Sequence, residues 1–404
     1  MFLFISGDKN RLFWHTLYVS LKSAIFDEMR IVVNTRLLLK NRLEGIGWFT
    51  YETLKRITRD HPEHRFIFLF DRPFDNEFVF NENITPVVVC PPTRHPLLWY
   101  LWFEWKIPAI LKKYKAELFL SPDGYLSTRT KIPQLPVIHD LNFIHRPKDL
   151  PWLTSEYYNY WFPKFAGKAV RIATVSSYSK KDISELFKVD PAMIDVVYNG
   201  CNPLYIPLDD EIRDEVRERY TGGTPYFLYV GALHPRKNVD GLLMAFDEFK
   251  NRSKNNVKLV IAGGRMFKTG KIHDIYMAMN SRDEVIFTGR IPAEELKLLL
   301  GSALALTFVP FFEGFGIPVI EAMGAGVPVI CSNTTSLPEV GGNAVFYIDP
   351  VSTSGIADAM WQMNNDSELR KSLIAKGNIQ KEKFSWERSA ALLWQSIEKV
   401  LAES

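Results

Sequence analysis

Short apolar runs recur along the chain, separated by longer stretches with helical spacing. The first series falls at 30–34 (RIVVN), 65–70 (RFIFLF), 84–89 (ITPVVV), 117–120 (ELFL), 135–138 (LPVI), 171–175 (RIATV) and 194–198 (IDVVY). A second follows at 226–230 (YFLYV), 257–262 (VKLVIA), 284–287 (EVIF), 304–309 (LALTFV), 328–331 (PVIC) and 344–348 (AVFYI). Runs that are apolar at consecutive positions, not at alternate ones, belong to strands covered on both faces, as in parallel sheets. Helical patterns fill the intervals, for example at 237–251, 292–300 and 355–364. Strands alternating with helices predict a doubly wound α/β sheet, and the two series predict that it is made twice.

The break between the series falls at 199–210, NGCNPLYIPLDD, where an Asn-Gly, two prolines and an acidic pair mark a linker. The expected organisation is a first domain at 29–203 and a second at 204–383. A terminal amphipathic helix in 384–404 carries Leu393, Ile397 and Val400 or Leu401 at helical spacing. Residues 1–28 precede the first strand. They have no small-residue cleavage site, and their apolar run is too short for a signal peptide. Phe13, Leu17, Leu21 and Ile25 would share one helix face. The simplest reading is an extension outside the domain; the alternative is an amphipathic helix on a membrane surface.

Two such domains enclose a cleft, and open α/β sheets bind ligands beyond the carboxyl ends of their strands. The loops after the strands therefore hold the candidate chemistry. In EGFGIPVIEAMGAGVPVIC, 313–331, Glu313 sits before a glycine-broken loop, and Pro318 suits the first turn of a helix that Gly324 or Gly326 ends. The backbone amides around Phe315, Gly316 and Ile317 would be free at that helix start, where the dipole favours an anion such as phosphate. Gly314 and Gly316 would leave room for its approach. Glu313 and Glu321 would flank the phosphate, and a carboxylate can hold two neighbouring hydroxyls. A diphosphate with a sugar at one end and a ribose at the other has this layout. Read structurally, Glu321 alone only complements the helix dipole; it is the constellation that points to a nucleotide sugar. In YFLYVGALHPRKNVDGLLMAF, 226–246, a glycine turn at Gly231 leads to Arg236 and Lys237 just before a helix. Cations there oppose the dipole, but beside a diphosphate they stabilise the charge that grows on a leaving group.

Composition narrows the choice. Apolar residues make up 47% of the 404, enough for sizeable cores, and 49 Lys+Arg against 46 Asp+Glu leave a net charge of only +3. That balance excludes a nucleic-acid binder of the basic kind. Cys90, Cys201 and Cys331 are far apart and show no C-x-x-C spacing, so neither a disulfide framework nor a zinc site is expected, and a reducing cytosol fits. No D-x-D triplet occurs, so protein cations rather than a metal are expected to neutralise the diphosphate. No G-x-S-x-G elbow accompanies Ser177, His139 and Asp140, which argues against a hydrolase. A glycosidase would use paired carboxylates but leave the Arg-Lys pair idle.

The stretch from Glu313 to Glu321, with FTGRIPAEELKLLLGSA before it and GVPVICSNTTSLPEVGGNAVFYIDP after it, resembles the E-x(7)-E region of the retaining glycosyltransferases of family 4, the "glycosyl transferases group 1". The resemblance covers about 29–402 and implies the GT-B fold: two Rossmann-like domains facing across a cleft, the first for the acceptor and the second for the nucleotide sugar. It implies that the terminal helix returns to the first domain. Carried over by residue, it implies that Glu313 binds donor-sugar hydroxyls and Glu321 the ribose. Phe315, Gly316 and Ile317 would offer backbone contacts, and Arg236 and Lys237 would hold the diphosphate. His139, at the end of LPVIHDLNFIHRP, would orient the donor sugar's reactive end without acting as a base, with Asp140 holding its ring or touching the acceptor. Gly45 and Gly47 resemble the family's glycine loop beside the phosphate. Arg290 and Ile291 would lie near the nucleobase.

The implied activity is metal-independent, retaining transfer of a mannose- or glucose-type hexose from a GDP- or UDP-linked donor to a glycan or lipid-linked glycan, in cell-surface polysaccharide synthesis. Rival readings are an epimerase or phosphorylase on the same fold, or a non-catalytic sugar-nucleotide sensor. HPLLWYLWFEWKIPAILKKYK, 95–115, places Trp99, Trp102 and Trp105 at i+3 spacing among lysines. The pattern suits a buried face and equally a peripheral contact with the cytoplasmic face of an anionic membrane.

Overall fold

The computed structural model describes residues 28–253, 255–264 and 270–404. The helix considered for residues 13–25 lies outside them.

Among the described residues the apolar runs become thirteen strands: β1 (Arg30–Asn34), β2 (Arg65–Phe70), β3 (Ile84–Val88), β4 (Leu118–Ser121), β5 (Gln134–Pro136), β6 (Ile172–Thr174), β7 (Ile194–Val196), β8 (Tyr226–Val230), β9 (Lys258–Ala262), β10 (Val285–Gly289), β11 (Ala305–Phe308), β12 (Val329–Ser332) and β13 (Phe346–Ile348). They form two separate parallel sheets. The first has the order β3-β2-β1-β4-β5, and a bridge from Val137 to Ala173 extends it to the pair β6-β7. The second has the order β10-β9-β8-β11-β12-β13. Renumbered within its own domain that order is 3-2-1-4-5-6, the doubly wound arrangement whose ligand crevice opens where the order reverses. Here the reversal lies between β8 and β11, paired through Ala305–Phe227 and Leu306–Leu228. The loops leaving these two strands carry Arg236 and Lys237, and Glu313.

The inner strands of both sheets are buried on both faces because helices cover both sides, whereas the edge strands β3, β10 and β13 are only partly covered. The helix Val239–Arg252 covers β8 and β9 with Leu242, Leu243, Phe246 and Phe249, all fully buried. The helix Trp386–Ala402 lies against Gly45–Asp60, a helix of the first domain. It buries Leu393, Ile397 and Val400, and His61 stacks on Trp394 with ring centroids 3.6 Å apart. Ion pairs Arg56–Glu387 (2.8 Å), Arg171–Glu403 (2.9 Å) and Lys399–Asp195 (2.7 Å) border the contact. The chain thus passes between the domains twice, at 199–201 and 384–386. The two passes touch: the Cys201 amide donates to the Phe384 carbonyl at 3.1 Å, and Gly200 sits so close to the Trp386 backbone that no Cβ would fit.

The tryptophan segment splits its side chains between core and surface. Helices Pro96–Leu101 and Ile107–Lys113 are joined by a π-helical turn, Trp102–Lys106. Trp102 is fully buried, its Nε1 donating to the Val89 carbonyl at 3.0 Å, and Trp99 donates to the Thr93 carbonyl at 2.9 Å. Only Trp105 of the three is exposed, with Arg129 over its ring. The surface stripe is instead Leu97, Leu101 and Trp105, at i+4 spacing. No helix among the described residues is long and apolar enough to cross a membrane.

Candidate active site

The loop after β8 is built to hold two cations still. Gly231, at φ +147°, sets its carbonyl against Gly263, where a Cβ would have no room. The Gly231 amide donates to Ala262 and the Gly263 amide to Gly289, so the loops after β8, β9 and β10 lie side by side. His234 then caps the short turn Pro235–Lys237, accepting from the Arg236 amide at 3.3 Å. Burial and the charge of Arg236 depress the His234 pKa to about 4, which leaves the imidazole neutral and able to accept. Asn238, at φ +58°, closes the turn and donates to the carbonyls of Val309 (3.0 Å) and Pro350 (2.7 Å). The Phe311 amide donates to the Arg236 carbonyl at 2.9 Å and ties this loop to the one after β11.

Both cations converge on Glu313. Arg236 donates to Glu313 Oε2 and to the Phe312 carbonyl, each at 3.0 Å, and Lys237 pairs with the same carboxylate oxygen. Burial alone would raise the Glu313 pKa, but Lys237 and Arg236 outweigh it and hold the carboxyl below its ordinary value. Burial lowers the Lys237 pKa, and Glu313 offsets this only in part. The backbone of the carboxylate is fixed as well: Thr335 Oγ1 accepts from the Glu313 amide at 3.2 Å, and Ser336 Oγ donates to the carbonyls of Glu313 (2.9 Å) and Phe315 (3.2 Å).

Four residues on, the helix Ile317–Gly324 begins, with Pro318 in its first turn and Gly316 at φ +105° as its N-terminal boundary. Among the described residues, nothing accepts from the amides of Phe315, Gly316 and Ile317. The Phe315 side chain is buried against Phe384 and Tyr198, so this residue faces the site only through its backbone. Glu321 lies one turn along, and burial raises its pKa to about 8, with the Tyr205 phenol opposing.

The first domain closes the site from the other side. His139 follows β5 and the Val137–Ala173 bridge; its Nε2 lies 2.9 Å from the Pro122 carbonyl, which can only accept. The proton is therefore on Nε2, and burial depresses the pKa, so Nδ1 is an unprotonated acceptor. Phe49 meets the imidazole edge-on at 5.1 Å. Asp140 accepts from the Asn142 amide and side chain, not from the His139 ring. A Cβ on Gly314 would lie 2.8 Å from the His139 carbonyl and 2.9 Å from Asp140. The space that Gly314 leaves open is thus taken by the first domain, whereas the sequence suggested phosphate. Gly45 begins the helix Gly45–Asp60, and a Cβ there would touch Ile317 at 4.0 Å. Gly47 packs against the Leu37 carbonyl and Leu43, within its own domain. Arg290 is largely exposed and reaches across to Glu44 (3.4 Å) and the Leu43 carbonyl (3.3 Å); the neighbouring Ile291 packs on the core.

Arg236, Lys237, Glu313, His139 and the Phe315–Ile317 amides therefore share one cleft between two parallel sheets. Sequence reasoning did not single out His234, Asn238, Thr335 and Ser336, which hold these groups. Only Asn238 left a local signal, an Asn where the chain must turn left-handed before a helix.

This is the layout of a sugar-nucleotide transferase, and comparison with known proteins agrees. Residues 43–203 match the family described as Glycosyltransferase Family 4, and residues 211–380 match Glycosyl transferases group 1. The chain is a GT-B glycosyltransferase of the family 4, group 1 type. It is 29% identical over 370 residues to O-antigen chain mannosyltransferase B of Escherichia coli, covering 89% of this chain and 97% of that one. It is 29% identical over 259 residues to the O-antigen chain mannosyltransferase RfbU of Salmonella typhimurium, covering 63% and 67%. In fold it resembles Anabaena HepE, solved with UDP and glucose, at a TM-score of 0.70 and 15% identity over 92% of this chain and all of that one.

Proposed function

We propose that this glycosyltransferase moves mannose, with retention of configuration and without a metal, from a nucleoside-diphosphate donor to a growing cell-surface glycan. The observation that carries the reading is the convergence of Arg236 and Lys237 on Glu313, beside the open start of the helix Ile317–Gly324. Glu313 is the anion that partners both cations. An arriving diphosphate would take them over, accept from the Phe315–Ile317 amides, and free Glu313 for sugar hydroxyls. Glu321 would receive the ribose. In transfer, the bond from the sugar's anomeric carbon to the diphosphate breaks, and the acceptor oxygen bonds to that carbon on the same face. The acceptor proton passes to the departing diphosphate, whose charge Arg236 and Lys237 stabilise. His139 Nδ1 accepts from a sugar hydroxyl and orients the ring. The names of the relatives support mannose and an O-antigen type of glycan.

The test is incubation with GDP-mannose, UDP-glucose and UDP-N-acetylglucosamine in EDTA, reading thermal shift and release of nucleoside diphosphate. GDP-mannose should stabilise the protein and be slowly hydrolysed, and Glu313→Ala should abolish both. No stabilisation by any donor would overturn the reading. Peripheral work at the cytoplasmic face of the membrane is part of the proposal. The exposed Leu97, Leu101 and Trp105 stand among the exposed lysines 106, 112, 113 and 115, a combination suited to an anionic surface. Co-flotation with anionic but not neutral liposomes, lost in Trp105→Ser, is the expected result.

A further inference from the structure

Away from the donor groups, one carboxylate of the second domain is held entirely by the first. Glu339 lies in the short helix Leu337–Gly341, after β12. Its two oxygens accept from the Ser177 amide, each at 2.9 Å, from the Tyr178 amide at 3.3 Å and from the Tyr198 hydroxyl at 2.6 Å. Ser177 opens the helix Ser177–Phe187, whose own cap, the Ser176 hydroxyl, accepts only from the Ser179 amide. Among the described residues, Glu339 is the only acceptor for the first two amides of that helix. A charged acceptor at a helix start is stabilised by both the hydrogen bonds and the dipole.

Each end of this contact leads to the candidate site. On the first-domain side, Ser179 Oγ donates to the His139 carbonyl at 2.9 Å, so the helix that Glu339 grips also holds the His139 loop. On the second-domain side, Glu339 is three residues from Ser336 and four from Thr335, which fix the Glu313 backbone. Where the two loops meet, Gly314 abuts the His139 carbonyl.

We infer that Glu339 is a positioning residue, a latch that holds the His139 loop in register with the Glu313 loop when the cleft is closed. It touches neither the donor groups nor the reacting atoms; it acts through the helix Ser177–Phe187 and the Thr335–Ser336 segment. Its role in transfer rests on the function proposed above, whereas the latch itself does not.

Two sets of measurements separate these. In the ligand-free protein, hydrogen exchange of the Ser177 and Tyr178 amides is compared between wild type, Glu339→Ala, Glu339→Gln and Tyr198→Phe, with small-angle scattering in parallel. Exchange at these amides should accelerate at least about tenfold in Glu339→Ala, with a larger radius of gyration. Glu339→Gln, which keeps an acceptor oxygen, should recover part of the protection. Unchanged exchange in Glu339→Ala would overturn the latch. With GDP-mannose, the dissociation constant should stay within about threefold of wild type while kcat falls about tenfold or more. Equal losses in affinity and in kcat would overturn the positioning role. If wild type binds no GDP-mannose, the donor proposal fails, and the exchange data still decide whether the latch exists.

Discussion

At the scale of single residues, the two glutamates of the motif behave in opposite ways for physical reasons. Glu313 is partly buried under two cations and stays ionised, whereas Glu321 is partly buried without one, and its pKa rises to about 8. A carboxyl whose folded pKa is raised stabilises the fold most at low pH and loses that contribution as pH climbs through the folded value. Glu321→Gln should therefore gain on wild type by about 1.4 kcal/mol for each pH unit between pH 6 and pH 8, and hold that gain at pH 9. Calorimetry at these pH values checks this, and the same variant should bind donor more weakly. Lys237→Ala leaves Glu313 with Arg236 alone. It should lower transfer on the order of a hundredfold, as loss of one electrostatic contact to a developing charge does elsewhere; steady-state kinetics with GDP-mannose would show it.

Among the elements, the decisive contacts are between loops. Gly314→Ala would press a methyl group into the His139 carbonyl and Asp140. The domains can part to relieve it, so stability should change little while transfer falls about a hundredfold, the cost of displacing reacting groups by an ångström. Kinetics paired with calorimetry separates the two effects. The elements themselves were legible in the sequence. Runs such as RFIFLF and YFLYV are strands because each apolar side chain is buried on one face or the other, and local apolarity records that. Arg236, Lys237 and Glu313 were legible for a related reason: each follows a strand, and the rule for parallel sheets places such loops together. Contacts between domains left no such trace. Glu339 reads as an ordinary helical acid, and Gly314 as room for a ligand, because their partners lie 162 and about 175 residues away and depend on how two finished domains meet. The tryptophans at i+3 spacing parted because a π-helical turn breaks the regular repeat at Trp102–Lys106.

At the scale of the whole molecule, the terminal helix is part of the first domain in all but connectivity. Leu393, Trp394, Ile397 and Val400 are buried against it, and Trp386 beside the crossing. At roughly 2 kcal/mol for each buried side chain, their loss approaches the whole stability of an ordinary domain. A chain ending at residue 383 should therefore be recovered mostly as insoluble protein, measured as the soluble fraction after expression. The paired crossings at Gly200 and Trp386 have one more consequence. Cutting the chain at 203/204 severs only one of the two passes, and the second fragment still carries the helix that recognises the first. Co-expressed as separate polypeptides, 29–203 and 204–404 should copurify, whereas 29–203 and 204–383 should not. The chain would then serve as a split reporter, its two halves joined by a helix that lies far along the sequence from the cut.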